Sequence, residues 1–518
     1  EFRLVPKQLH ESGVSRMASV SSPLHYLSID ETRKLFAKGE LTPVALLRAC
    51  VERLEAFDKR LNSWVHLTLA SAWRDAHAST ERWAAGKPLS QLDGVPIGLK
   101  DLYDTAGVPT EAGCYALRGR IPEEDAHAVA RLRSAGTVML GKLFTTEFAS
   151  GGMINPTYRD AITRNPYDSS RTPGTSSAGT AAAVASGQIL AGLGSDTAGS
   201  IRGPCAYCGL TGIKPTYGLV SKRGVYPLSR TLDHAGPICR SAMDCALLLN
   251  VLKDFDPTDP DSMAATCPEE DLVASIGAGV KGLQLGVVPS ILQTASREVK
   301  SNFQRVLSVF EDMGCTTVEV EPLAGTEDGN LDPWELVSAI MLPEKATYIE
   351  SVLRERPDEL SPLGLETTLP YLDSSASRYL KALAQRERIE AAFEASLSSQ
   401  GISAYIVPTT KTPAPLLPAN VQDMLTQRRK VARMESSNLP VLKNDPYNTM
   451  LFNITRQPSI AFPMGLDSGG MPTSCMVSGP KWADALVLRI AHAFQAVTDH
   501  HLNRPPLEET CMCSAIQL

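Results

Sequence analysis

A chain of 518 residues can hold two or three average domains or one large α/β unit, and its 43% apolar and 21% charged content excludes the disordered and low-complexity classes. A formal net charge of −7 argues against holding nucleic acid or an anionic membrane by charge, since both need a cationic face; a small neutral substrate fits better. Eleven cysteines at irregular spacing read as reduced core residues of a cytoplasmic protein rather than a disulfide framework.

Residues 1–22 lack an initiator Met and a continuous apolar stretch. They read as an extension or cloning remnant, with Met17 a candidate native start, in preference to a secretory signal or a transit peptide. Thr42 before Pro43 predicts a capped helix with Ala45, Leu46, Val51, Leu54 and Phe57 on its apolar face; it is expected to pack outside the core and to supply no chemistry. Residues 94–102 predict a short strand running into a turn. Asp125 is read as the cap of a helix through Val129 and Leu132 to Gly136, and 137–143 as a buried strand, so strand and helix alternate as in a mixed α/β sheet. The small-residue run 181–194 is broken by Ser186, Gly187 and Gln188 and falls short of the roughly 20 apolar residues a membrane span needs; no membrane segment is expected.

Residues 254–268 gather acidic residues and prolines into a surface loop before a strand at 283–288. Residues 325–450 contain a long helix at 375–397 and loops such as 413–417, and are expected to shape the substrate site. A buried strand within 453–465, a helix at 483–495 and a tail over 509–518 close the chain. Without internal repeats, one domain over 23–508 is the economical reading, with a core at 94–240.

Two nucleotide motifs fail on context. Gly277-Ala278-Gly279-Val280-Lys281-Gly282 precedes its strand, whereas a dinucleotide site follows one; Gly136-x4-Gly141-Lys142 has Leu143 where a P-loop needs Ser or Thr for magnesium. Cys205-x-x-Cys208 lacks a second ligand pair, and the nine histidines include no HxxxH with an intervening Glu. No metal or other cofactor is expected. Around Ser176 the second glycine of GxSxG is replaced by Ala178, so the α/β-hydrolase elbow is absent. His234 reads as a structural histidine in preference to one that approaches the site.

What remains is Arg171-Thr172-Pro173-Gly174-Thr175-Ser176-Ser177-Ala178-Gly179-Thr180 followed by Gly194-Ser195-Asp196-Thr197-Ala198-Gly199-Ser200-Ile201-Arg202, with Ser176 and Ser200 24 positions apart and Lys100 upstream in Gly94-Val95-Pro96-Ile97-Gly98-Leu99-Lys100-Asp101. A lone lysine is more often a surface ion-pair residue, and a Ser/Gly turn is often only a turn; together, in this order, they resemble the amidase signature family. The resemblance covers most of 25–508. It implies a large single-domain α/β fold whose central mixed sheet carries helices on both faces, and serine-hydrolase chemistry on C–N bonds. It further implies Ser200 as nucleophile, Ser176, entered through a cis peptide bond, as proton relay, Lys100 as base, and backbone N–H groups of Thr197, Ala198, Gly199 and Ser200 as the oxyanion hole. Gly151, Gly152 and Met153 are implied to line the acyl side.

A serine hydroxyl needs a base, and a lysine is one only when burial lowers its pKa from about 10.4; Lys100 is therefore expected to be buried. Thr175, Ala178 and Ala198 stand where glycine is more usual in the family, which narrows the surroundings and makes them more apolar. The expected substrate is a small uncharged amide or carbamate, so that urethane cleavage is included; the alternative is an amidotransferase component resembling the A subunit of glutamyl-tRNA amidotransferase. The sequence leaves the assembly open, a homodimer being common by base rate.

Overall fold

The computed structural model describes residues 23–159, 161–262, 271–323, 326–329, 331–426 and 448–507; the segments expected over 1–22 and 509–518 lie outside them. Within the described residues eleven strands form one sheet: β1 (Trp64–Leu67), β2 (Pro96–Lys100), β3 (Val138–Leu143), β4 (Ala191–Asp196), β5 (Thr211–Lys214), β6 (His234–Cys239), β7 (Gln284–Val287), β8 (Thr316–Glu319), β9 (Ala404–Pro408), β10 (Ser459–Leu466) and β11 (Pro472–Ser478). Their order across the sheet is β1-β3-β2-β4-β6-β5-β10-β11-β9-β7-β8. Strands β3, β2 and β4 are mutually parallel, the middle of the sheet is antiparallel, and β9, β7 and β8 are parallel again.

Every residue of β2, β3, β4, β6 and β9 is buried, as in strands covered by helices on both faces. The parallel pairing of β2 with β4 brings their carboxyl ends to one side of the sheet. Lys100, the last residue of β2, thereby comes beside Ser195 and Asp196, the last two of β4, where ligand sites of α/β sheets gather.

Two expectations change on inspection. The helix Pro43–Leu61 starts as foreseen, Ala45 N–H donating to Thr42 Oγ1 at 3.2 Å, but it is not an outer cover. Leu46 and Cys50 join one core cluster and Leu47, Val51 and Leu54 another, so its apolar face is part of the core. The helix His127–Ser134 has no side-chain cap; the Asp125 carboxylate instead accepts from Ala106 N at 2.8 Å and pairs with Arg133 at 2.7 Å. Lys142 of the P-loop-like stretch lies buried in β3, donating to Tyr103 O and to Thr110 Oγ1. Among the described residues no helix is long and apolar enough to cross a membrane.

Candidate active site

Lys100 is fully buried, and its Nζ donates to three hydroxyls: Ser176 Oγ at 2.7 Å, Ser195 Oγ at 2.9 Å and Ser177 Oγ at 3.0 Å. A charged ammonium loses its hydration there, and hydroxyl dipoles replace only part of it. Burial pushes its pKa down to about 7, against the opposing pull of the Asp196 and Asp233 charges.

The serines arrive from a turn that must be small. The peptide bond between Thr175 and Ser176 is cis, as the resemblance implies, and Ser177 occupies the N-cap position of the fully buried helix Ala178–Ala185. That helix sits so close to the end of β3 that a Cβ on Gly179 would collide with the backbone of Phe144 and Ser63.

Beyond β4 the chain turns sharply through 197–201 into the helix Arg202–Tyr207, and the Asp196 carboxylate organises the turn. Its two oxygens accept from Gly199 N at 2.8 Å, Ile201 N at 3.1 Å, and Arg202 Nε and a terminal guanidinium nitrogen at 3.0 and 2.9 Å. Asn453 Nδ2 adds bonds to the Asp196 carboxylate and carbonyl at 2.8 and 3.1 Å, and Arg202 continues to Thr449 O at 3.0 Å. Burial alone would raise the Asp196 pKa, but the Arg202 charge and these donors hold it well below the usual carboxylate range. Thr197 Oγ1 donates to Asp233 Oδ1 at 2.6 Å, while Asp233 Oδ2 accepts from Leu228 and Ser229 N–H, both at 2.9 Å.

This network engages one of the four backbone N–H groups of the turn. The N–H of Gly199 is spent on Asp196; among the described residues the N–H groups of Thr197, Ala198 and Ser200 have no protein acceptor and remain available. Gly199 serves space instead: it has φ +122°, and a Cβ there would collide with Thr449 Oγ1, which donates to Ala198 O at 2.8 Å. Ser200 is half-buried at the end of the turn, and its hydroxyl makes no hydrogen bond among the described residues, so the Ser176–Ser200 bond is not formed in this structure.

Of the expected acyl-side residues, Gly151 packs on Glu147, and a Cβ on Gly152 would collide with the Met424 sulfur. Met153 joins Phe144 and Ala178 in one apolar cluster. His234 opens β6 opposite Asp196, its Nδ1 lying 2.7 Å from Leu232 O and 3.2 Å from Asp196 O, a structural placement against the turn. Cys205 and Cys208 are buried free thiols, and among the described residues no His, Cys, Asp and Glu group is arranged to hold a metal. Ser177, Ser195, Asp233, Thr449 and Asn453 were not foreseen. For the two serines the signal was present, since they lie inside the quoted motifs.

A buried lysine bonded only to hydroxyls thus lies beside an anchored turn with spare N–H groups. The family model described as Amidase matches residues 45–488. The chain belongs to the amidase signature family. Within it, the chain is 34% identical to the A subunit of glutamyl-tRNA(Gln) amidotransferase of Chloroflexus aggregans over 504 residues, covering 93% of this chain and 99% of that one. Among solved structures, the native peptide amidase from Stenotrophomonas maltophilia superposes with a TM-score of 0.78 at 27% identity, covering 94% and 99% of the two chains. The A subunit of glutamyl-tRNA(Gln) amidotransferase from Thermotoga maritima does so at 0.71 and 26%, covering 92% and 95%. The amidase fold is thus a single α/β unit with a large mixed sheet flanked by helices.

Proposed function

We propose that this amidase-family chain hydrolyses the C–N bond of small uncharged amides or carbamates through an acyl-enzyme, with Ser200 as nucleophile, Ser176 as relay and Lys100 as base. The observation that carries this reading is the buried Lys100, shifted to about 7 and held by three hydroxyls, because only a lysine neutral near working pH can take a serine proton. Ser200 Oγ attacks the carbonyl carbon while its proton passes through Ser176 to Lys100. The C–N bond then breaks as the same proton returns through Ser176 to the leaving nitrogen. Water repeats the sequence on the acyl-enzyme, its proton finally restoring Ser200. The free N–H groups of Thr197, Ala198 and Ser200 suit the oxyanion, each such donor lowering the barrier by roughly 3 kcal/mol.

The apolar cluster of Phe144, Met153 and Ala178 supports an uncharged acyl group, since a charged one would lose hydration without a counter-ion. A hydrolysis panel of acetanilides, aliphatic amides, esters, ethyl carbamate and glutamine tests the reading; turnover confined to esters would overturn it. The second reading is an amidotransferase component that releases ammonia from glutamine for partner chains. It is supported by the 34% identity to the Chloroflexus aggregans amidotransferase chain over nearly the full length of both. Glutamine hydrolysis that appears only when partner chains are added would favour it; turnover of simple amides by the isolated chain, as a homodimer in cytoplasm-like buffer, favours the first.

A further inference from the structure

Two arginines outside the reacting group carry charges that no carboxylate answers. Arg386 faces inward from the helix Ala376–Ser399 and is 5% exposed. Arg456, part-exposed, follows the short helix Met450–Ile454. Among the described residues neither forms an ion pair, and neither side chain bonds to Lys100, Ser176, Ser200 or the turn 197–201.

One loop gathers them. Arg386 Nη1 reaches Thr231 O at 3.5 Å, and the adjoining carbonyl, Arg230 O, accepts from Tyr217 OH at 2.7 Å. The Arg456 guanidinium lies on the ring of the same Tyr217, 4.4 Å from its centroid, a contact that uses its face and leaves its edge N–H groups free. Burial pushes the pKa of Arg386 down, and the charge of Arg456 pushes the same way, as two like charges close together do.

The carboxylates nearby are engaged elsewhere. Asp261 pairs with Lys222 at 3.4 Å and Arg230 at 3.1 Å, and Glu390 pairs with Lys481. Glu394 accepts from Gln457 Nε2 at 2.8 Å and Lys481 N at 3.1 Å, and Glu344 from Ser229 Oγ, Thr231 N, Thr231 Oγ1 and Tyr379 OH. Glu344 and the exposed Glu387 offset the Arg386 charge only from beyond ion-pair distance.

A guanidinium keeps its proton, so both charges persist and call for an anion from outside. The atoms that can take one are Arg386 Nη2 and both terminal nitrogens of Arg456. They have no acceptor among the described residues and, unlike the two Nε atoms, are not closed to solvent. Planar N–H forks of this kind match the oxygens of a carboxylate or phosphate group.

We propose that Arg386 and Arg456 form a binding site for a small soluble oxyanion, a carboxylate or phosphate group held by their terminal N–H groups and separate from the reacting serines. This site stands independently of the function proposed above.

Isothermal titration calorimetry with sodium phosphate and with sodium acetate, at an ionic strength fixed by sodium chloride so that general screening is equal, tests it and separates the two sources. Saturable binding of at least one anion is expected, phosphate being the tighter for a phosphate site and acetate at least its equal for a carboxylate site. Arg456→Gln should weaken binding at least tenfold, and Arg456→Lys, which keeps the charge and loses the fork, by less. Arg386→Gln should act as Arg456→Gln does; because Arg386 is buried, the variants of the part-exposed Arg456 carry the test if that protein does not fold. Failure of both anions to bind saturably, or binding unaltered in folded Arg456→Gln, overturns the proposal.

Discussion

Ser177 receives a hydrogen bond from Lys100 and has none to return: its own hydroxyl donates to Ser195 O at 3.3 Å, while Lys100 Nζ approaches it at 3.0 Å. A neutral amine has two N–H groups and one lone pair. With Ser177 and Ser195 taking the two N–H groups, the lone pair faces Ser176, the nearest of the three at 2.7 Å. On the proposed mechanism Ser177 is thus a positioning residue that aims Lys100 at Ser176. Replacing it by alanine strands a buried N–H, which costs about 1–3 kcal/mol, so Ser177→Ala should lose about 10- to 100-fold in kcat/KM on an anilide with its fold intact by circular dichroism. Unaltered kinetics would show that the lysine is oriented by other means.

The depressed pKa of Lys100 fixes the sign of the pH dependence. Activity should rise from acid through about 7 as the lysine loses its proton, and Lys100→Ala should abolish both the rise and nearly all amide turnover. Stability follows the same direction. The unfolded chain, with lysine near 10.4, binds a proton that the folded chain lacks between there and about 7, so the contribution of this group to stability increases with pH across that window. Activated esters should suffer less than anilides in the variant, since their leaving groups need little protonation. A kcat/KM profile falling through pH 7 to 9 would contradict the assignment.

The parts of the site that were legible in the sequence are those confined to short segments. Gly/Ser spacing around Ser176 and Ser200 encodes two turns, and alternating strand and helix signals encode the sheet that brings Lys100 beside them. The anchors of the turn 197–201 were not legible, because Thr449 and Asn453 reach Ala198 and Asp196 from about 250 positions away, and no periodicity reports a contact between a side chain and a remote loop. Asp125 failed for the same reason: a local capping rule lost to Ala106 and Arg133. The partner of the Gly199 N–H was not legible either, because the Asp196 carboxylate three residues earlier becomes its acceptor only once the turn is folded.

If Ser200 is the nucleophile, a fluorophosphonate probe should label that residue alone, and Ser200→Ala should remove labelling and turnover together. Ser176→Ala should keep slow labelling while losing amide hydrolysis more severely than ester hydrolysis, because the relay serves the leaving nitrogen. Peptide mapping that finds the adduct on Ser176 in the wild-type protein would exchange the two roles.

Arg202 and Asp196 form a fully buried ion pair that is also the scaffold of the turn. Arg202→Met leaves the Asp196 charge without its partner, and breaking one side of such a pair costs about 3–5 kcal/mol. A drop in thermal midpoint of several degrees is expected, with activity lost in proportion to the disordered turn; replacing Arg202 without change in midpoint or rate would mean that Asn453 and the backbone N–H groups suffice to hold Asp196.

Gly199 and Thr449 offer a test of whether the turn is shaped by close packing. A Cβ at Gly199 would collide with Thr449 Oγ1, and its φ of +122° is one L side chains rarely adopt. Gly199→Ala should therefore displace Ala198 and Ser200 and reduce kcat/KM by about 100-fold, the scale expected when oxyanion donors move off target. Thr449→Ala alone forfeits the bond to Ala198 O and should cost about 1 kcal/mol. Combined, the two changes remove the closest contact, with Oγ1, but leave the Cβ of residue 449 at 2.9 Å and the backbone strain, so the double variant should be faster than Gly199→Ala alone though still below wild type. Contacting residues are where such non-additivity is expected. Steady-state kinetics on the four proteins decide it: if the double variant is as slow as the product of the single effects, the clash with Thr449 is not what makes glycine necessary, and the backbone conformation alone accounts for it.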